Sequence, residues 1–450
     1  MQSMPKSLAA GLVAVAALAC APAGAQTAAD RFIPFSEFLQ DLRAAPAAQY
    51  LAAANANGVT SAAAVEEMRS HILSLYSGVT VQHSFMLDDQ YFDCVPTLQQ
   101  PSARKLGLMK LPSLPSRLPL ADPAAGDNDG QAASQLAPGE TADKFGNAMP
   151  CEPGTIPMRR ITLQELSRYR NLQEYFQKGH DGAGQVPTRD KKATVEHKYA
   201  HAFQNVMNFG GVSTVNIWKP HINRNRGEIF SLSQHWYVAF PGGVTQTAEI
   251  GWQNDPQHYG SQNSALFIFY TVNGYTQLGN NLGCYNLECQ GFVQTSNTIM
   301  LGGRFAKYSK LGGRQNYLTL GYQLLSASGN PGWAMIYAGN YVGYYAASLY
   351  GSASGALSQG ATEIDYGGET VGSTIWPPMG SGEFPGQGLK FSGLHKNIKY
   401  FTTYNNSATS NATLTQSQPS PKCYKIQLHN NSTGKSQSFF YFGGPGGKKC

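Results

Sequence analysis

Glu249, in QTAEIGW at 246–252, and Glu369, in YGGET at 366–370, each lie inside a run that reads as β-strand. Only 13% of the chain is charged, against about 25% in ordinary soluble domains, so a carboxylate within a strand needs a reason. Alternation puts Val244, Gln246, Ala248, Ile250 and Trp252 on one face and Thr245, Thr247, Glu249 and Gly251 on the other. A lone glutamate there reads first as part of a solvated outer face. A second carboxylate changes that. Two acids held close cannot both ionise easily, so one keeps a proton while the other serves as base. Such a pair suits peptide-bond hydrolysis, one acid taking a proton from water and the other hydrogen-bonding the carbonyl oxygen. It suits glycosidic cleavage equally, the carboxyl separation indicating the mechanism. Glu369 also follows two glycines, Gly367 and Gly368, a place where another chain can approach the backbone closely.

Other hydrolytic chemistries lack their residues. GSASG at 351–355 has Ala353 where a nucleophile-elbow serine would stand, and no G-x-S-x-G occurs. His197 and His201 sit four apart in HKYAH, without the adjacent glutamate or a third ligand of a zinc site. No metal and no cofactor is therefore expected. The close pair Cys284 and Cys289 in CYNLEC encloses too few residues for a zinc ribbon and suits a short disulfide.

The clearest helical signal is SAAAVEEMRSHILSLY, with Ser61 as cap and Val65, Met68, Ile72 and Leu75 on one face. Residues 101–150 turn to Pro, Ala, Gly and Ser, a linker-like stretch unlikely to fold alone, and 176–192 form a second breaker-rich, basic stretch. From about 196, short aromatic and β-branched runs alternate with Gly, Asn and Pro: STVNIW, SLSQHWYVAF, ALFIFYTV, YLTLGYQLL and WAMIYAG. ALFIFYTV is apolar on both faces and is expected in the middle of a covered sheet. Strands at this spacing, without amphipathic helices or a fixed repeat, predict a β-sandwich or barrel.

At 450 residues the chain allows two or three domains. Its start has the layout of a secretory signal peptide: Lys6, an apolar run, then Ala23-Gly24-Ala25. Cleavage before Gln26 would remove Cys20 and leave six cysteines, an even number suited to an oxidising compartment. The net charge of +6 comes from scattered residues, which argues against a nucleic-acid partner. No later stretch is long and apolar enough to span a bilayer. Sequons at Asn405, Asn411, Asn430 and Asn431 matter only if the source glycosylates.

Longer motifs carry a resemblance. DCV at 93–95 with Gln99-Gln100-Pro101, and CEPGTIPMRR from Cys151, are followed by NIWKP, FSLSQHW, EIGW with DPQHYG, GCYNLECQGFVQ, YGGE, MGSGEFP, and CY with FFYFGGPGG before Cys450. In this order they resemble the neprosin family of glutamic peptidases. The resemblance implies an all-β catalytic domain, an antiparallel β-sandwich, behind a smaller mixed α/β N-terminal prodomain. The corresponding division is a signal peptide at 1–25, an activation peptide at 26–175 with an insert at about 111–150, an activation linker at 176–195 and the catalytic domain at 196–450. Catalytic roles fall on Glu249 and Glu369, with Glu369 favoured as base. Trp252 and Tyr366, near the two acids, are weaker candidates for substrate binding. The family implies Cys284–Cys289 and Cys423–Cys450, leaving Cys94–Cys151 by subtraction.

The resulting expectation is a secreted, extracellular or periplasmic, acid-active endopeptidase made as a zymogen. It would be a monomer that cleaves peptide or protein substrates, Pro-rich ones included, with its own propeptide as inhibitor. Cleavage after proline is less secure, because Tyr366 and Ile250 depart from common family residues. A non-catalytic carbohydrate- or wall-binding sandwich and a two-carboxylate glycoside hydrolase are the alternatives. His180, His197 and His201, with Arg189, Lys191 and Lys192, are expected to repel one another in acid and loosen the junction.

Overall fold

The aromatic and β-branched runs after residue 195 form long antiparallel strands. The computed structural model describes residues 31–54, 58–118, 130–179, 195–327, 330–405, 408–430, 437–448 and 450. The expected signal peptide and residues 180–194 of the expected linker, His180 included, lie outside the described residues. The chain divides into a short unit, Met1–Ile33, and a large one, Pro34–Cys450, which contains all the described strands.

Among the described residues the strands make three sheets. The front sheet runs Gly283–Tyr285, Ala265–Thr271, Gln246–Asn254, Glu228–Ala239, Ala361–Gly372, Glu196–Asn208 and Thr415–Ser417. The back sheet centres on Gln315–Ala327, Gly210–Asn216 and Gly393–Phe401. The two pack as a sandwich. The chain passes from front to back at Gly210, whose φ of 111° and whose approach to Tyr322 O, 2.0 Å from where a Cβ would sit, leave room for no side chain. Between the sheets Ser213 Oγ is hydrogen-bonded to His235 Nε2 at 2.8 Å and to His395 Nδ1 at 3.1 Å, and Ser233 Oγ to His395 Nε2 at 2.8 Å. Both imidazoles are fully buried. ALFIFYTV is buried on both faces as expected, but it lies second from the sheet edge. Its outer rings Phe267 and Phe269 are covered by Tyr285, Tyr275 and the Lys178 chain.

The charge is unevenly placed. No Asp or Glu occurs between Glu288 and Glu363, or after Glu383. Those stretches supply the back sheet apart from Gly210–Asn216 and Gly130–Ala132, which carry no acid either, so the back sheet contains no carboxylate.

In the front part of the chain, Ser61 Oγ accepts from Ala64 N at 3.1 Å and caps helix Ala62–Leu75, whose Val65, Met68, Ile72 and Leu75 are buried. The third sheet, Ser84–Leu87, Gln90–Pro96 and Thr155–Arg159, also lies here. The Pro/Ala-rich stretch is not a free linker. Leu108, Leu111 and Leu114 pack on Val212, Leu325, Ile336 and Phe401 of the back sheet, and Gly130–Ala132 pairs in parallel with residues 315–317. Leucines set among prolines need no fold of their own when a sheet supplies the apolar surface. The boundary expected near residue 195 is thus no break in packing.

Three disulfides are present, Cys94–Cys151, Cys284–Cys289 and Cys423–Cys450. The third spans 27 residues and the second 5, so by loop-closure entropy removing Cys423–Cys450 should cost roughly 3 kcal/mol and Cys284–Cys289 less. Thermal unfolding of the two Cys→Ser double variants checks this, and equal drops in Tm would contradict it. No described helix is long and apolar enough to cross a membrane.

Candidate active site

Strand Glu228–Ala239 lies between Gln246–Asn254, which carries Glu249, and Ala361–Gly372, which carries Glu369. Its Gln234 stands opposite Gly251 on one side and Gly367 on the other. With no side chain on either flank, the sheet surface is hollow there. A Cβ at 251 would lie 2.0 Å from Ser233 O, which fixes glycine at that point. Glu249 and Glu369 reach over this hollow from opposite sides, and both are buried.

One cation holds them together. Lys178 Nζ lies 2.6 Å from Glu249 Oε2, 2.9 Å from Glu369 Oε2 and 2.9 Å from Gln234 Oε1. Its ammonium stands over the rings of Trp236 and Phe267. Burial opposes the charge on Lys178, but Glu249 and then Glu369 outweigh it and hold the ammonium above its ordinary range. Burial likewise pushes Glu369 up, yet Lys178 and His197 prevail and bring it down to about 2.

The two carboxylates keep different company. Glu249 Oε1 accepts from Thr247 Oγ1 at 2.8 Å and Tyr275 OH at 2.7 Å. Glu369 is hydrogen-bonded to His197 Nδ1 and accepts from Gln234 Nε2 at 3.1 Å. Lys178 can only donate, so Gln234 turns its oxygen to the lysine and its NH₂ to Glu369. Tyr275 is held at φ 62°, an unusual backbone for a non-glycine residue, with its ring stacked on Phe269. Beside the pair opens a cavity of 530 Å³, lined in part by His197, Tyr199, Trp236, Tyr275, Leu278 and Glu369.

Of the residues nominated from sequence, Glu249 and Glu369 are brought together and Trp252 and Tyr366 are not. Both aromatics are fully buried between the sheets, Trp252 Nε1 donating to Asn216 O and Tyr366 packing on His235. Each stands three positions from a glutamate, and an odd offset along a strand points to the opposite face, so neither can line the groove. His197 meets Glu369 and His201 Nδ1 meets Asp365 Oδ2 at 2.7 Å. Burial opposes a charge on His201, but Asp365 outweighs it and raises the imidazole above its ordinary value. Acid therefore charges His201 beside Asp365, while the repulsion expected among His180, His197, His201, Arg189, Lys191 and Lys192 falls largely on residues outside the described ones. Lys178, Gln234 and Tyr275 were not foreseen. Gln234 and Trp236 share a face in FSLSQHW by simple alternation, which is the signal that could have found Gln234.

Residues 227–445 match the family model described as Neprosin. The chain carries a neprosin domain. Both glutamates fall inside it, and Lys178 lies before it. That match supports a glutamic peptidase. Among solved structures the chain is similar to scytalido-glutamic peptidase with a transition state analog inhibitor, at 9% identity, over 55% of this chain and 98% of that chain, with a TM-score of 0.29. At that level the likeness carries no weight here.

Proposed function

We propose that the chain is the precursor of a secreted, acid-active glutamic endopeptidase, latent while Lys178 occupies the place of water and substrate between Glu249 and Glu369. The observation that carries this reading is the convergence of two buried carboxylates, from separate strands of a neprosin domain, on one nitrogen from the preceding segment. A lysine there ion-pairs with both acids and fills the space a nucleophilic water would need.

With the lysine withdrawn, Glu369 keeps the His197 imidazole and the Gln234 amide beside it, with the Tyr199 hydroxyl at 3.5 Å, whereas both close partners of Glu249 Oε1 are hydroxyls, which can donate or accept. That difference favours Glu369 as the ionised base and Glu249 as the protonated partner that polarises the carbonyl. The aromatic wall of Tyr199, Trp236 and Tyr275 in the adjoining cavity supports acceptance of a proline ring. Three disulfides are consistent with an oxidising, extracytoplasmic setting.

Acid weakens the lysine contact. Glu369 sits near 2 while docked against an ordinary 4.5, so its contribution to docking is full above 4.5 and fades as pH falls toward 2. Purified precursor taken from pH 7 to pH 3–4 should cut its linker and then degrade a denatured Pro-rich protein, while the Glu369→Gln precursor stays intact. Neutral-pH cleavage by full-length precursor, or equal processing of the variant without other proteases, would defeat the reading. Tyr275→Phe should lower kcat roughly 10- to 100-fold and shift the pH profile, since Glu249 loses one of its two hydroxyl partners. An unchanged profile would remove Tyr275 from the mechanism.

A further inference from the structure

Away from the catalytic pair, a second buried charge centre joins the front part of the chain to the neprosin domain. Glu288, in the loop closed by Cys284–Cys289, accepts from Tyr175 OH at 2.7 Å, His258 Nε2 at 2.9 Å, Arg159 Nη2 at 3.1 Å and Asn286 Nδ2 at 3.2 Å. Arg159 and Tyr175 precede the linker, whereas His258 and Asn286 belong to the neprosin domain. Arg159 also holds Glu165 at 2.7 Å. His71 Nε2 is hydrogen-bonded to Glu288 O at 2.9 Å, its half-buried ring edge-on to Phe176. Also facing this centre are Tyr259, over whose ring the Arg159 guanidinium sits, the buried phenols Tyr169 and Tyr285, packed on Tyr175 and His258, and Asp255, which caps the short turn that carries His258.

This centre is one of several attachments. Gln100 and Gln294 exchange bonds of 2.8 Å, Gln135 and Met300 bonds of 2.6 and 2.9 Å, and the leucines of 108–114 grip the back sheet. All of these lie outside residues 180–194. The Cys94–Cys151 disulfide stays within the front part, and no described disulfide crosses the linker.

We infer that cutting the linker does not free the prodomain, which stays on the neprosin domain as a non-covalent inhibitory subunit until acid dissolves the Glu288 centre. This rests on the zymogen reading above and names its second control point. A cut removes only the covalent connection, and every contact just named survives it. Acid then acts on two groups in the same sense. Burial pushes Glu288 up, but His258, Arg159 and Tyr175 bring it down to about 2, from an ordinary 4.5. Departure of Arg159 and Tyr175 lets it rise again, though His258 stays beside it, so its support for docking weakens as pH falls toward 2. Burial holds docked His71 near 4, below its ordinary 6.5, despite Glu288. A group that must stay neutral to dock opposes docking increasingly as pH falls from 6.5 to 4.

The test places a foreign protease recognition sequence within 180–194, in a Glu369→Gln background so that no self-cleavage ensues, and cuts it at pH 7. Size-exclusion chromatography should show the fragments eluting together at pH 7 and apart on acidification. With Glu288→Gln or Tyr175→Phe added, release should move up by about one pH unit, with about 10-fold weaker reassociation at pH 7. Tyr175→Phe keeps the ring and decides the matter if Glu288→Gln fails to fold. Separate elution at pH 7 straight after the cut, or unshifted release in the folded variants, overturns the inference. Elution reads association, so the result stands even if the chain proves to lack peptidase activity.

Discussion

With Lys178 replaced by methionine, the precursor should lose its latency at pH 5–6 while the neprosin domain keeps its fold. Methionine can keep contact with the rings of Trp236 and Phe267 but removes the cation that lies between Glu249 and Glu369. Stripping one partner from a buried ion pair typically costs about 3–5 kcal/mol, because the other charge is left uncompensated. Here two carboxylates are left, and sharing a proton between them recovers only part of that cost. The docked segment should therefore open on the order of 100-fold more often, and that opening is what cleavage of a small peptide substrate at pH 5.5 reads. A Lys178→Met precursor as inert as the wild type, and cut in the linker no faster, would show that latency does not depend on the lysine.

The second large effect separates the two glutamates. Glu369→Gln removes the group assigned as base, and cleavage at pH 3.5 should fall by about 10⁴-fold, near the upper end of what a positioned base contributes. Glu249→Gln keeps an N–H able to reach the substrate carbonyl, so its loss should be smaller, on the order of 10²- to 10³-fold. Melting curves of the processed enzyme, with Lys178 gone from between the acids, should change little, since neither variant alters size. The reverse order of effects would exchange the two roles, and near-wild-type activity in either variant would remove the pair from the mechanism.

Where each residue sits explains how legible it was in the sequence. Alternation alone placed Glu249 on a face with Thr247 and away from Trp252, and the structure has that arrangement. The same parity rule places Trp252 and Tyr366 in the core; nearness in sequence suggested otherwise and was misleading. Lys178 was hidden because it acts from outside the sheet, at the edge of a Gly- and Lys-rich stretch with no period to mark it. Tyr275 sits in NGYT, which reads as a plain turn, and its phenol reaches Glu249 only through the backbone at φ 62°. The leucines of 108–114 read as linker because the apolar surface that orders them is supplied by strands more than 90 residues later.

A sheet without carboxylates has nothing that acid can neutralise. Acid unfolding is mostly the forced protonation of carboxylates that the native state pairs or hydrogen-bonds, and the back sheet presents none. What acid can still reach lies deeper. Burial holds His395 at about 3, and burial with the neighbouring His395 holds His235 well below its ordinary value. Both are neutral in the sandwich and would be charged in the unfolded chain, so each withdraws stability as pH falls from 6.5 toward 3. In the back half of the sandwich the cost of acid then falls on two imidazoles sealed between the sheets and not on carboxylates. If acid releases Lys178 as proposed, usable acidity becomes a band, opened from above by that release and narrowed from below as the core must charge its histidines.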